Sequence, residues 1–252
     1  MKRYALLTDL HGNLRALEAV LADVQAEEWD GIFCLGDFGG YAAHPNEVIA
    51  RIQALGIPSI SGNYDSSVAS AAPDCGCQYT KPFDIEMSEA SYAWTLQHTS
   101  EASKDYLRTL APEIRFEAEG LRVLLCHGSP RSETEYLFVE RSNGYLAQFA
   151  GGGTADAQAD VICFGHTHVP YHREVKGTHF INAGSVGRPK DGDSRACWAV
   201  LTLDAGKVTT EFRRVEYDVE AEGRDLVAAG LPEYFAEYLR YGGQIPVRTE
   251  AG

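Results

Sequence analysis

Tyr4-Ala5-Leu6-Leu7-Thr8-Asp9-Leu10-His11-Gly12-Asn13 is the stretch that decides the reading of this chain. Its apolar half, Tyr4 to Thr8, has the length of a buried strand and stops on Asp9. Apolar residues then return at Leu14, Leu17, Val20, Leu21 and Val24, the spacing of one helix face, with Asn13 placed to cap it. The same strand, loop and helix recur downstream. Ile32 to Leu35 ends at Gly36-Asp37, and Pro45 opens a helix with Val48, Ile49, Ile52 and Leu55 that Gly56 stops. Ile57 to Ser61 reads as a third strand ending at Gly62-Asn63, Leu121 to Cys126 ends at His127, Val161 to Phe164 ends at Gly165-His166, and Thr178 to Asn182 runs to Gly184. Strands alternating with helices predict an α/β fold with helices on the sheet faces. Trp198 to Leu203, the turn Asp204-Ala205-Gly206 and Val208 to Val215 predict an antiparallel hairpin, so the sheets are mixed.

A chain of 252 residues buries one sizeable core, and a single domain over 1–252 is expected. Between Asp65 and Arg115 the pattern changes to a polar Gly/Cys stretch and imperfect helical spacing, read as a helical insertion over about 66–115. The tail, about 218–252, carries a helix after Pro232 whose apolar face, Tyr234, Phe235, Tyr238 and Leu239, is expected to dock on the domain. Gly151-Gly152-Gly153 lacks the strand and Lys of a phosphate loop and reads as a connection. The net charge of −14 argues against a nucleic-acid polymer as partner but leaves room for a small anion, because bound cations invert the local field. The N-terminal apolar run is too short for a signal or a membrane span, so a cytoplasmic protein is expected. Cys34, Cys126, Cys163 and Cys197 sit in apolar runs and read as reduced core thiols. Cys75 and Cys77 form a C-x-C that could hold metal or a strained disulfide, with a plain connection the blander account.

In open α/β sheets the carboxyl ends of the strands converge on the edge where ligands bind. Asp9, Asp37, Asn63, His127 and His166 each fall at or just past such an end, and His11 and His168 follow two residues on. Singly, Asp and Asn end many turns, and one His after a strand is commonly hydrogen-bonded structure. Independent turn residues have no reason to be the oxygen and nitrogen donors of one centre, so together they predict a metal site. Carboxylate, amide and imidazole without thiolate suit Mn, Fe, Co, Ni or Zn better than Mg or Ca. A lone zinc needs only three or four ligands, so these seven imply two divalent ions with one carboxylate bridging. Two cations roughly 3.5–4 Å apart activate a shared water and stabilise both oxygens of an in-line displacement, which makes hydrolysis of a phosphate ester the expected reaction. Ser185 reads as part of a loop at the site and not as a nucleophile.

The ordered blocks Asp9-Leu10-His11-Gly12-Asn13, Gly36-Asp37, Gly62-Asn63-Tyr64-Asp65, His127-Gly128 and Gly165-His166-Thr167-His168 resemble the signature of the calcineurin-like metallophosphoesterases, over roughly residues 3–215. Asn182-Ala183-Gly184-Ser185-Val186-Gly187-Arg188-Pro189 resembles a block of the small bacterial and archaeal branch, which is similar to phosphodiesterases and to diadenosine-tetraphosphatase-like proteins. The resemblance implies a four-layer α/β/β/α sandwich. It also implies that Asp9, His11 and His168 hold one ion, Asn63, His127 and His166 the other, and Asp37 both, with Asp37, Asn63, Tyr64 and His127 closest to the chemistry.

Two departures matter. Many members carry His where this chain has Tyr64, and a phenol of pKa near 10 is a poorer acid partner at neutral pH. The Asp-Arg pair of the protein-phosphatase branch is replaced by Gly39-Gly40-Tyr41, which argues against protein substrates. The expectation is therefore esters with good leaving groups, unless His98 or a metal-bound water substitutes as the acid, and a phosphodiester or nucleotide-related small substrate. Phosphomonoesters and dinucleoside polyphosphates are the alternatives. A non-catalytic interaction module, like the retromer subunit that resembles this family, is the rival of another class, and the seven competent donors argue against it. Tyr79, Phe83, Tyr92 and Trp94 of the insertion either cover the metal edge and stack a base or form a satellite core. Tyr-rich helices are compatible with a dimer without demanding one.

Overall fold

Strand β1 (Lys2–Leu7) alternates its side chains between two cores, which sets the layering of the molecule. Ala5 and Leu7 face a helical layer, while Tyr4 and Leu6 face a second sheet. The computed structural model describes residues 1–150 and 159–246. β1 pairs in parallel with β2 (Gly31–Cys34) and antiparallel with β8 (Ala196–Asp204), which pairs with β9 (Lys207–Val215) in the order β2-β1-β8-β9. The second sheet has the order β3-β4-β5-β7-β6, from β3 (Glu113–Ala118), β4 (Leu121–Cys126), β5 (Val161–Phe164), β6 (Tyr171–Val175) and β7 (Thr178–Asn182). Val123, Leu125, Val161 and Cys163 pack between the sheets, whereas Leu124, Cys126, Ile162 and Phe164 face outward onto Leu137, Leu146 and Phe149. The architecture is the expected α/β/β/α sandwich with mixed sheets.

On the β1 side lie α1 (Leu14–Gln25), α2 (Pro45–Ala54), α3 (Asn63–Ser70), α4 (Pro82–His98) and α5 (Glu101–Arg108). The outer face of the second sheet carries only α6 (Asn143–Leu146) among the described residues, so the fourth layer is mostly loop. Asn13 caps α1 as expected, its Oδ1 accepting from the Ala16 N–H at 3.0 Å. The tail forms α7 (Val219–Ala228) and α8 (Glu233–Arg240), and α8 buries Phe235, Ala236, Tyr238 and Leu239 against the domain. Gly151-Gly152-Gly153 lies outside the described residues.

Three local expectations need correction. Ile57 to Ser61 is not a strand: it makes isolated bridges Cys34↔Ser59 and Ile60↔Ala111, because Pro58 lacks an N–H and the segment turns from one sheet toward the other. Asn63 opens α3 rather than ending a strand, with Gly62 as its cap. β3 begins at Glu113, inside the expected insertion, and β6 had no separate reading, since its sequence Tyr-His-Arg-Glu-Val lacks an apolar run. The hairpin holds, with Asp204 opposite Lys207 and both Ala205 and Gly206 at positive φ, as a two-residue turn requires.

Candidate metal centre

The loops after β1, β2, β4 and β5, with the start of α3, bring the seven sequence-selected residues to one buried place. Asp9, Asp37, Asn63, His11, His127, His166 and His168 are all at most 3% exposed. Asp9, His11 and His168 form one group that could hold an ion, and Asp37, His127 and His166 another; within each group one candidate atom per residue lies inside 4.8 Å of the others. Asp37 joins them, its Oδ2 lying 3.7 Å from His11 Nε2 and 3.3 Å from His127 Nε2.

Ring orientation follows from the other nitrogen. His11 Nδ1 meets the Gly39 carbonyl at 2.9 Å, His127 Nδ1 the Leu35 carbonyl at 2.7 Å, and His168 Nδ1 the Arg188 carbonyl at 2.6 Å. A carbonyl only accepts, so each Nδ1 carries a proton and each Nε2 is the nitrogen turned to the centre. His166 is likewise tied to the Thr134 backbone. The carboxylates are also held by the chain: Tyr64 N–H donates to Asp37 Oδ1 at 2.9 Å, and Thr8 Oγ1 and the His166 N–H donate to Asp9 Oδ2 at 2.8 and 3.0 Å.

Asp9, His11, Asp37, His166 and His168 all have φ between 48° and 63°, a left-handed conformation costly for residues with a Cβ. The crowding is equally severe at two neighbouring glycines. A Cβ at Gly62 would lie 2.2 Å from Asp37 Oδ1, and one at Gly165 would lie 2.3 Å from Asp9 Oδ2.

Burial, with His168 alongside, pushes His11 down to about 3, and burial also takes His166 and His168 well below the ordinary histidine range. Burial opposes a charge on His127 too, yet Asp37 and Asp9 outweigh it and push His127 up to about 10. Without a cation, His127 therefore holds a second proton at pH 8. Binding of a divalent ion at this pH is expected to release about one proton, read as the dependence of the calorimetric enthalpy on buffer ionisation heat. An enthalpy independent of buffer would rule this out.

Three buried side-chain atoms at the centre have no hydrogen-bond partner: Asn63 Oδ1, His127 Nε2 and His166 Nε2. Each is a good ligand for a divalent cation, so the residues fit the metal the donor set calls for. Asn63 offers its oxygen because its Nδ2 is spent on the Cys75 carbonyl at 2.7 Å.

The profile of the calcineurin-like phosphoesterase superfamily domain matches residues 2–206. The chain belongs to this superfamily. An uncharacterised protein of Methanocaldococcus jannaschii is 31% identical over 94% of this chain and 97% of its own length. The crystal structure of a metallophosphoesterase from Sphaerobacter thermophilus is 29% identical, with a TM-score of 0.72 over 96% of this chain and 99% of that one. A hypothetical protein from Pyrococcus horikoshii, 21% identical, shares the fold with a TM-score of 0.78 over 98% and 100% of the two chains. This calcineurin-like protein is accordingly a metal-dependent phosphoesterase, a family that implies divalent ions, and it has two groups of residues that could hold them.

Two further residues of the cavity at the centre, Tyr136 and Lys190, emerge only in three dimensions. Cys77, Tyr79, Tyr136 and Lys190 line the cavity at the centre with Tyr41 and Tyr64. Tyr136 lays its ring 4.0 Å from that of His166. Asp65 accepts from the N–H groups of Asp37, Phe38 and Gly62 at 2.7, 2.9 and 2.9 Å and so fixes the Asp37 loop onto α3. Ser185 does shape the site, donating to the Asp9 carbonyl at 2.9 Å.

His98 does not reach the centre. It stacks on Trp94 at 4.0 Å and bonds the Trp94 carbonyl on the exposed end of α4, because i and i+4 share a helix face. Of the insertion's aromatics only Tyr79 touches the cavity; Tyr92 and Trp94 pack into the helical core, and Phe83 lies against Tyr234. Cys75 and Cys77 are free thiols, as are the other four cysteines.

Proposed function

We propose that the chain is a dinuclear phosphodiesterase acting on small, nucleotide-related substrates, built as one metallophosphoesterase unit over 1–252 with its insertion and tail. One ion is assigned to Asp9, His11 and His168, the other to Asn63, His127 and His166, with Asp37 shared. The shared position of Asp37 supports this reading most directly, since its Oδ2 lies within 3.7 Å of an imidazole from each group. Two divalent cations supply an activated water and stabilise the attacking and leaving oxygens of an in-line displacement. The mixed oxygen and nitrogen donors favour Mn, Fe, Co, Ni or Zn over Mg.

The chain's own residues position and screen. Tyr64 anchors Asp37 through its N–H, while its hydroxyl is engaged with Ser91 Oγ at 3.0 Å and burial pushes the phenol well above 10. Tyr64 is thus a wall and a tether rather than a strong acid, which favours esters with good leaving groups. Tyr136 shields His166 from water. Six free cysteines support a reducing, cytoplasmic setting, and no helix among the described residues is long and apolar enough to cross a membrane.

Metal-stripped protein, assayed against bis-p-nitrophenyl phosphate and p-nitrophenyl phosphate with Mn, Ni, Co, Zn or Mg restored, tests the reading. The expected result is diester turnover that needs Mn or another of the nitrogen-tolerant ions, exceeds monoester turnover, and vanishes in His127→Ala. Equal diester turnover without added metal, or in His127→Ala, would sink it.

A further inference from the structure

A cavity of about 290 Å³ adjoins the metal centre, and Tyr41, Tyr79 and Lys190 are walls of both. Arg188 and Tyr238 of α8 complete its inner side, with Lys81 and Asp84 farther out on the insertion. Arg188 is 5% exposed and is clamped between two rings, its guanidinium carbon 3.8 Å from the centre of Tyr41 and 3.9 Å from that of Tyr238. Stacking fixes the plane of the fork but leaves its N–H edges needing acceptors. Nη1 has none. Among the described residues, neither Arg188 nor Lys190 forms an ion pair with a carboxylate, and what covers the Arg188 guanidinium is a pair of tyrosine rings. Two adjacent cations, one fully buried and short of an acceptor, carry a desolvation cost that an anion in the cavity offsets.

The neighbouring groups fit an anion with several oxygens. The hydroxyls of Tyr41 and Tyr79 bond to each other at 3.0 Å, so one O–H is used within the pair and the other is left to donate. Asp84 is the single carboxylate on the lining, and Lys81 three residues before it supplies an opposing charge. The cavity also lies within reach of the chemistry, because the Arg188 carbonyl is the group that orients His168 at 2.6 Å.

We propose that this cavity receives a second phosphate of the substrate, so that the preferred substrate places one phosphate ester at the metal centre and a terminal phosphomonoester between Arg188 and Lys190. Two cations and a phenol match a phosphate, with about two negative charges and three acceptor oxygens, better than a single carboxylate. The proposal rests on the phosphodiesterase reading for the ester at the metals, but not for the anion site itself.

The test has an arm for each. Inorganic phosphate titrated calorimetrically into metal-stripped protein in EDTA is expected to bind the parent saturably and to bind Arg188→Met about 10- to 100-fold more weakly, the loss of a charge-assisted hydrogen-bond pair. No turnover is needed, so this arm stands even if the esterase reading fails. With Mn restored, the preference in kcat/KM for a 5′-phosphorylated dinucleotide over the same dinucleotide without that phosphate is expected to fall by a similar factor in Arg188→Met, mainly through KM. Lys190→Gln, at a partly exposed position, gives the same reading in smaller measure if Arg188→Met does not fold. Phosphate affinity equal in parent and variants, no binding to the parent, or an unchanged preference would overturn the proposal.

Discussion

Asp37→Asn protein is expected to hydrolyse bis-p-nitrophenyl phosphate on the order of 10³-fold more slowly than the parent, a loss of about 4 kcal/mol in barrier lowering. The substitution keeps the volume and one carbonyl oxygen, so the Tyr64 N–H retains an acceptor and the local fold has no reason to change. What it removes is the charge that lies 3.3 Å from His127 and 3.7 Å from His11, nearer to His127 than the Asp9 carboxylate at 3.9 Å. Retained ions are then expected to fall from about two per chain toward one, measured by elemental analysis after gel filtration. Full turnover with two ions bound would show that Asp37 does not bridge.

The second large effect concerns stability. Metal-stripped protein is expected to melt at least about 8 °C below the Mn-loaded form by differential scanning fluorimetry, because a ligand at a thousand times its Kd adds about 4 kcal/mol per site, and each kcal/mol is worth about 2–4 °C at this size. The geometry argues for a shift of at least this size. Five residues of the two groups sit in left-handed backbone, each costing on the order of 1 kcal/mol, and the carboxylates of Asp9 and Asp37 are buried together. The intact fold must hold these unfavourable features whether or not a cation compensates them. Identical melting curves with and without EDTA, at verified metal removal, would contradict this.

Much of the site was legible because strand ends are legible. Asp9, Asp37, His127 and His166 each follow an apolar run, and a sheet sends its carboxyl ends to one edge, so their meeting could be expected from one dimension. Asn63 was found for the wrong local reason: the residue is at the centre, but at the head of a helix. Arg188, Lys190 and Tyr136 could not be found that way, since each lies in a loop whose path depends on tertiary packing. Asp65 was visible as a letter in a motif, yet its three backbone acceptances have no sequence signal. His98 misled because an imidazole in an aromatic segment looks reactive, whereas its helix face turns it toward Trp94.

The histidine tethers carry a last consequence. His11, His127 and His168 are aligned by carbonyls of Gly39, Leu35 and Arg188, and His166 by the Thr134 backbone, so main chain rather than neighbouring side chains sets their aim. Substitutions around the centre can therefore reshape what the protein selects while leaving the aim of its imidazoles intact. At Arg188 the two tasks meet in one residue, its carbonyl serving His168 and its side chain facing the next cavity, and a new side chain there would redirect substrate choice without loosening the ligand. In this chain the hold on the imidazoles and the lining of the next cavity are thus set by different atoms.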